Sequence, residues 1–315
     1  MTCCERFVKR LENLPVDRIP NFNIMMTFAA HYIGRPLSTY YLDYNVLCLA
    51  NFAVQEDFQL DIVQAISDPF RETADLGAEI EFPHDGLPIC KAPLIIDPAA
   101  LFSLKIPAPE NGQRMSDRLK AVQFFHDRVG GEIPVMGWVE GALAQAADLR
   151  GVNQVLLDMY DRADWLHDLL STVCEMEIAF AVAQVNAGAD IIGLGDAVAS
   201  QISPAAYREF ALPYEQRIFT AVHAAGGSCR LHICGDTTAV LDDMAASGAD
   251  IIDIDWMVDM RNAASTFGDR AVVCGNQDPT AVMLQGTADS VRSAVRDCMQ
   301  QGGSRCLSAA GQSTA

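Results

Sequence analysis

The stretch LHICGDTT, residues 231–238, places a histidine and a cysteine one residue apart at the end of an apolar run. On a β-strand, successive side chains alternate between faces, so His232 and Cys234 share one face while Leu231 and Ile233 share the other. An imidazole and a thiol projecting side by side are two ligands of the kind that zinc takes. Without a metal, the same residues read as a hydrogen-bonded strand histidine and a small buried hydrophobe. Their place in the fold decides between the two readings.

The elements that carry the pair can be counted. Eight short apolar runs recur along the 315 residues: RIPNFNIMM, LDIVQAISD, GEIPVMGWVEG, GADIIGLGD, GGSCRLHICGD, GADIIDIDW, RAVVCGNQD and GGSRCLSAAG. Segments with apolar residues at helical spacing, such as 205–225 and 280–301, lie between them. Alternating strands and helices with eight strands predict one (β/α)8 TIM barrel spanning 1–315. The unit Gly188-Ala189-Asp190-Ile191-Ile192 returns as Gly248-Ala249-Asp250-Ile251-Ile252, as expected of repeated βα units. Between the second and third runs, Pro69 to Gly130 reads as an excursion with short strands of its own around Ala78–Phe82 and Pro93–Ile96.

In such a barrel the site lies at the C-terminal ends of the strands, so the polar residues that close each run are the informative ones. They are Ser67-Asp68, Glu140, Asp196, His232 with Cys234, Asp253 with Asp255, and Asn276 with Asp278. Asp253 and Asp255 alternate with isoleucines, which turns both carboxylates toward the barrel axis. Asp68, Glu140, Asp196 and Asp255 are the candidate catalytic carboxylates; Asn276, Asp278 and Gln312 are candidates for binding substrate or cofactor. Any one of them alone is as readily a turn or cap residue. At this rim, His232 and Cys234 become candidate metal ligands, and zinc bound there could hold a thiol as its thiolate.

Composition narrows the function classes. Hydrophobic residues make up 50% of the chain and charged residues 20%, enough for a substantial core. With 22 Lys and Arg against 41 Asp and Glu, the net charge of −19 argues against a nucleic-acid partner. No uninterrupted apolar stretch approaches the roughly 18 residues of a membrane span, and the N-terminus lacks a secretory core, so a cytoplasmic protein without a membrane partner is expected. Ten cysteines at irregular spacing then read as reduced thiols or metal ligands.

Together, ISDPFRETADLGAEIEF, GWVEGALAQAADLRG, GDAVASQISPAAYREFALPYEQRI, HICGDTTAVLDDMAASGADIIDIDW and GNQDPTAVMLQGT resemble the uroporphyrinogen decarboxylase superfamily. Within it, they resemble the branch of corrinoid-dependent methyltransferases. The resemblance implies a barrel with its site in the mouth. It also implies methyl transfer between a corrinoid, free or on a corrinoid protein, and a small zinc-held thiol such as coenzyme M, with His232 and Cys234 matching the zinc-ligand motif of that branch. The alternatives are decarboxylation of a tetrapyrrole, with Asp68 as its electrostatic centre, and a non-catalytic corrinoid-binding barrel.

Two departures stand out. Where the decarboxylases carry an arginine-rich N-terminal motif, this chain reads Phe22-Asn23-Ile24-Met25-Met26-Thr27, which removes cations that a polycarboxylate substrate needs. Asp68 does not discriminate, because the methyltransferase branch has the same segment. The second departure is at the other end. The branch's third zinc ligand, a cysteine after the last strand, has no counterpart in Leu307-Ser308-Ala309-Ala310-Gly311-Gln312, and the final helix of the family is expected to be missing. Gln312 or Glu140 is the candidate to complete the set. Cys306 lies four to six residues too early, roughly 13 to 20 Å along an extended strand.

Overall fold

The computed structural model describes residues 1–310; Gln312 lies outside the described residues. Its strands are β1 (Val63–Gln64), β2 (Ile80–Glu81), β3 (Ile89–Cys90), β4 (Val135–Glu140), β5 (Ile191–Gly195), β6 (Ser228–His232), β7 (Ile251–Asp253), β8 (Val272–Gln277) and β9 (Cys306–Ala310). Seven form one curled parallel sheet in the order β1-β4-β5-β6-β7-β8-β9, with helices in the connections. Seven of the eight expected runs therefore hold strands of this sheet.

The first run does not form a strand. It contributes one bridge, Asn21 to Ser308 of β9. Phe22 N–H donates to the Ser308 carbonyl at 2.8 Å, Ser308 N–H to Pro20 at 2.9 Å, and Asp61 N–H to Asn21 at 3.0 Å. The run thus lies between the two edges of the sheet. Pro20 has no N–H to extend the ladder, which explains why the pairing stays at a single bridge. The excursion is corrected as well: β2 pairs antiparallel with β3, so the second short strand is Ile89–Cys90 and not Pro93–Ile96. Ile95 N–H instead donates to the Leu149 carbonyl at 2.8 Å.

Strand alternation sorts the core into two bodies. Val135, Val139, Ile192, Leu194, Cys229, Leu231, Ile252 and Val273 pack outward under the helices. Met136, Trp138, Ile191, Ile251, Val272, Cys274 and Leu307 form a separate inner cluster with Phe7 and Phe22. Parallel register aligns the inner residues in layers. Glu140 is opposite Gly195, Gly195 opposite His232, His232 opposite Asp253, Asp253 opposite Cys274 and Cys274 opposite Leu307. The layer beneath runs Trp138, Gly193, Arg230, Ile251, Val272. Gly193 is required there, since a Cβ at that position would lie 2.2 Å from the Trp138 ring.

The repeated GADII unit has a specific use. Asp190 accepts the N–H of Val135 at 2.8 Å, and Asp250 accepts the N–H of Cys229 at 2.7 Å. Each aspartate caps the first residues of the neighbouring strand, a donor the ladder leaves open.

Candidate active site

β6 ends at His232, two residues before Cys234, so the pair does not sit on one continuous strand. Gly235, at φ +94°, turns the chain immediately afterwards, a conformation that glycine adopts without strain. The turn is held from outside: Asp255 Oδ2 accepts the Gly235 N–H at 2.8 Å, and its Oδ1 accepts the Trp256 N–H at 2.7 Å. The two side chains still converge, with His232 Nε2 3.0 Å from Cys234 Sγ. Ligand distances of about 2.1 and about 2.3 Å in a tetrahedral site would set these atoms roughly 3.5 Å apart, a small opening of the observed pair. The donor chemistry and convergence fit a zinc ion.

The imidazole is buried between Trp138, whose ring centre is 6.4 Å away, and Asp253, whose Oδ2 lies 3.3 Å from Nδ1. Asp253 is held by Arg230, with Nε at 2.9 Å and Nη2 at 2.8 Å from Oδ2. Burial alone would raise the Asp253 carboxyl, but Arg230 and His232 hold it down at about 2. Burial pulls the His232 imidazole the other way, yet Cys234 and Asp253 push it up to about 10.

The four candidate carboxylates are buried, and each meets a different environment. Asp68 accepts from Arg114 Nη2 at 2.6 Å and Ser67 Oγ at 2.8 Å. Burial works against its ionisation, but Arg114 and Arg71 bring the carboxyl below its ordinary range. Glu140 accepts from Arg71 Nη2 at 2.9 Å. Burial, reinforced by Glu72, pushes its carboxyl well above the usual range despite Arg71. It faces the same interior layer as His232 with only Gly195 between them. Asp196 accepts the Ala144 N–H at 3.0 Å through Oδ1, while its buried Oδ2 has no partner. Burial pushes it up to about 7. Asp255 has both oxygens engaged by backbone and acts on the turn after Cys234. Desolvation exceeds mutual repulsion as the cause of the raised Glu140 and Asp196 carboxyls.

Asn276 donates from Nδ2 to the carbonyls of Val258 at 2.6 Å and Asp255 at 3.2 Å. Asp278 Oδ1 caps the following turn by accepting from Thr280 and Ala281, both at 2.8 Å. Both residues line a cleft of about 380 Å³ with Trp256, Met257 and Asp297. Sequence reasoning passed over Arg71, Arg114 and Arg230, the cations that fix this acidic interior. Arg230 was visible by parity, since the alternation that pairs His232 with Cys234 turns Arg230 inward too.

A second group of metal-ligand types lies at the opposite end of β6. Ligand atoms of His223, Cys229 and Asp250 fall within 4.8 Å of one another. His223 Nε2 is 2.9 Å from Asp250 Oδ2. All ten cysteines are free. Among the described residues, no helix is long and apolar enough to cross a membrane.

The family model of uroporphyrinogen decarboxylase (URO-D) matches residues 2–309. This chain belongs to the uroporphyrinogen decarboxylase family. Two named activities occur among its relatives. The uroporphyrinogen decarboxylase of Xanthomonas euvesicatoria pv. vesicatoria is 28% identical over 96% of this chain and 90% of its own length. Methylcobamide:CoM methyltransferase MtaA of Methanosarcina barkeri is 26% identical over 94% of this chain and 88% of its own. MtbA of Methanosarcina mazei, with the same named activity, is 33% identical over 60% of this chain and 56% of its own. A solved methyltransferase from Methanosarcina mazei superposes with a TM-score of 0.90, covering 99% of this chain and 93% of its own at 24% identity. The fold is that of a URO-D-like methyltransferase.

Proposed function

We propose that this chain transfers a methyl group between a corrinoid and a thiol, with His232 and Cys234 as two ligands of a zinc ion. The observation that carries this reading is the convergence of His232 Nε2 and Cys234 Sγ, 3.0 Å apart, at the C-terminal end of a parallel strand. Zinc bound there would lower the pKa of a thiol and present it as a nucleophile at neutral pH. The chain's own residues do the rest. Asp255 fixes the turn that aims Cys234, and Glu140 stands across Gly195 in the same inward layer, placed to exchange a proton with a thiol or, as an alternative to Gln312, to complete the ligand set. Asp68 and Asp196 complete the acidic interior. Asn276 and Asp278, in the cleft of about 380 Å³, are assigned to the substrate or corrinoid. Exposed Trp256, Met257, Met283 and Leu284, on the loops after β7 and β8, offer an apolar surface to a corrinoid protein. We read the first run, lying between both sheet edges, as the eighth stave of one barrel domain.

The decarboxylase reading draws on the Xanthomonas relatives. It fits the interior less well, because Arg71 and Arg114 are buried and engaged by Glu140 and Asp68, not presented to a polycarboxylate. The test is demethylation of methylcobalamin, followed by the corrin absorbance with and without a small thiol. The expected result is thiol-dependent turnover that Cys234→Ala reduces by about 100-fold or more, at least the effect of losing an outer metal partner. Thiol-independent binding of a tetrapyrrole, with turnover unchanged in Cys234→Ala, would overturn the proposal.

A further inference from the structure

Arg230 is fully buried in an apolar layer, with Ile251 and Val272 beside it in register. A charge there costs several kcal/mol unless it is paired and hydrogen-bonded, and an uncharged residue would pack as well. Its partner is Asp253, directly opposite His232 in the next layer up. Arg230 Nε lies 3.1 Å from Oδ1 and 2.9 Å from Oδ2, and Nη1 donates to the Phe22 carbonyl at 3.1 Å. The guanidinium thus ties the carboxylate to the first run of the chain and leaves its orientation no freedom.

The carboxylate in turn faces His232. Oδ2 is 3.3 Å from Nδ1, while Nε2 looks the other way, toward Cys234 Sγ. Nδ1 is buried and makes no hydrogen bond in the structure; the Asp253 carboxylate, 3.3 Å away, is the acceptor that stands beside it. An imidazole that binds a metal through Nε2 needs its proton on Nδ1, and a carboxylate at Nδ1 fixes both the tautomer and the ring plane. We propose that Asp253, locked in place by Arg230, is the positioning residue that aims His232 Nε2 at the metal. The inference rests on the zinc reading and deepens it: the Arg230-Asp253-His232 chain is a purpose-built support, not a stray ion pair in the barrel interior. A pre-oriented ligand loses less on binding.

The test is zinc affinity of the full chain, measured by competition with a chromophoric chelator for wild type, His232→Ala, Asp253→Asn and the double variant Arg230→Met/Asp253→Asn. Asp253→Asn should weaken zinc about 10- to 100-fold. The double variant removes the buried cation along with its partner. It should therefore recover thermal stability lost in Asp253→Asn without recovering affinity, a split that a merely structural ion pair would not give. If the double variant binds zinc within about threefold of wild type, well under that range, while His232→Ala loses it, the positioning role is wrong and the zinc reading stands. If His232→Ala binds zinc as wild type does, the zinc reading fails and this inference with it.

Discussion

The two ends of β6 carry the same three residue types and use them differently. At the N-terminal end, Asp250 meets His223 and Cys229; at the C-terminal end, Asp253 meets His232, with Cys234 beside it. Both triplets invite a metal reading. At the lower end, however, Asp250 Oδ2 already accepts the Cys229 N–H, and the Cys229 thiol turns toward the Phe219 carbonyl at 3.7 Å. The first copy of the repeat makes the same cap: Asp190 accepts the N–H of Val135, so the capped strand position there is a valine and not a cysteine. A strand cap explains why an aspartate stands at the lower end. At the upper end Asp253 caps nothing, is gripped by a buried arginine, and faces an imidazole whose other nitrogen converges on a thiol. Residue types alone do not tell the two ends apart; the duty of the carboxylate and the aim of the thiol do.

The largest effect that would sharpen this contrast is the partition of metal between the two ends. Titration with cobalt(II) should give a sulfur-to-metal charge-transfer band in wild type that Cys234→Ala abolishes and Cys229→Ala leaves in place. Affinity should fall by about 100-fold or more in the first variant. A band that follows Cys229 instead would reverse the assignment of the two ends.

The lower end should show itself in stability. Asp250→Ala strands the Cys229 N–H and removes the His223 contact, so unfolding in urea should register a loss of about 1–3 kcal/mol, the cost of leaving such a donor unpaired. Asp190→Ala should cost a similar amount, and metal binding should be unchanged in both. If Asp250→Ala alone removed bound zinc, the capping account would be incomplete.

Much of this contrast was legible before any coordinates. Seven of the eight strand positions followed from short apolar runs, because a strand buried on both faces leaves that signature. The first run failed because a proline and two asparagines make it a filler between sheet edges. The pairing of His232 with Cys234 was found by parity, although the strand stops at His232 and the turn, held by Asp255, carries the geometry onward. What composition and spacing did not reveal is which rim carboxylates are paired with which arginines. Arg71 and Arg114 come from the excursion between β1 and β4, and only folding brings them to Glu140 and Asp68. Long-range ion pairs leave no local pattern to read.

The buried acids at the C-terminal ends of the strands predict a pH dependence. Asp196 binds its proton more tightly folded than unfolded, so ionising it opposes the folded state. The penalty is absent below the unfolded value of 3.8, grows as pH rises, and is complete above about 7. Glu140, raised in the same direction, adds to it. Asp253 contributes with the opposite sign: its stabilisation is present above its unfolded value and lost as pH falls toward about 2. Thermal midpoints should therefore decline from mildly acidic to alkaline pH, and Asp196→Asn should flatten that slope while leaving the low-pH limb in place. An unchanged slope in Asp196→Asn would move the titrating group elsewhere.

The smallest expected effect is also the closest comparison within the molecule. Cys229→Val gives the second copy of the repeat the residue that the first copy already has, since Val135 holds the position capped by Asp190. Burial, reinforced by Asp250, pushes the Cys229 thiol upward. A buried thiol that only fills space is replaced by valine at little cost, and swaps that nearly conserve volume usually change stability by less than about 1.5 kcal/mol. Cys229→Val should accordingly keep the urea midpoint, the zinc affinity and the thiol-dependent demethylation of methylcobalamin close to wild type. His223 and Asp250 should keep their contact, because the N–H that Asp250 caps belongs to the backbone and survives the substitution. A loss of activity or of zinc in this variant would mean that the two ends of β6 communicate along the strand, and that the lower triplet is more than a cap.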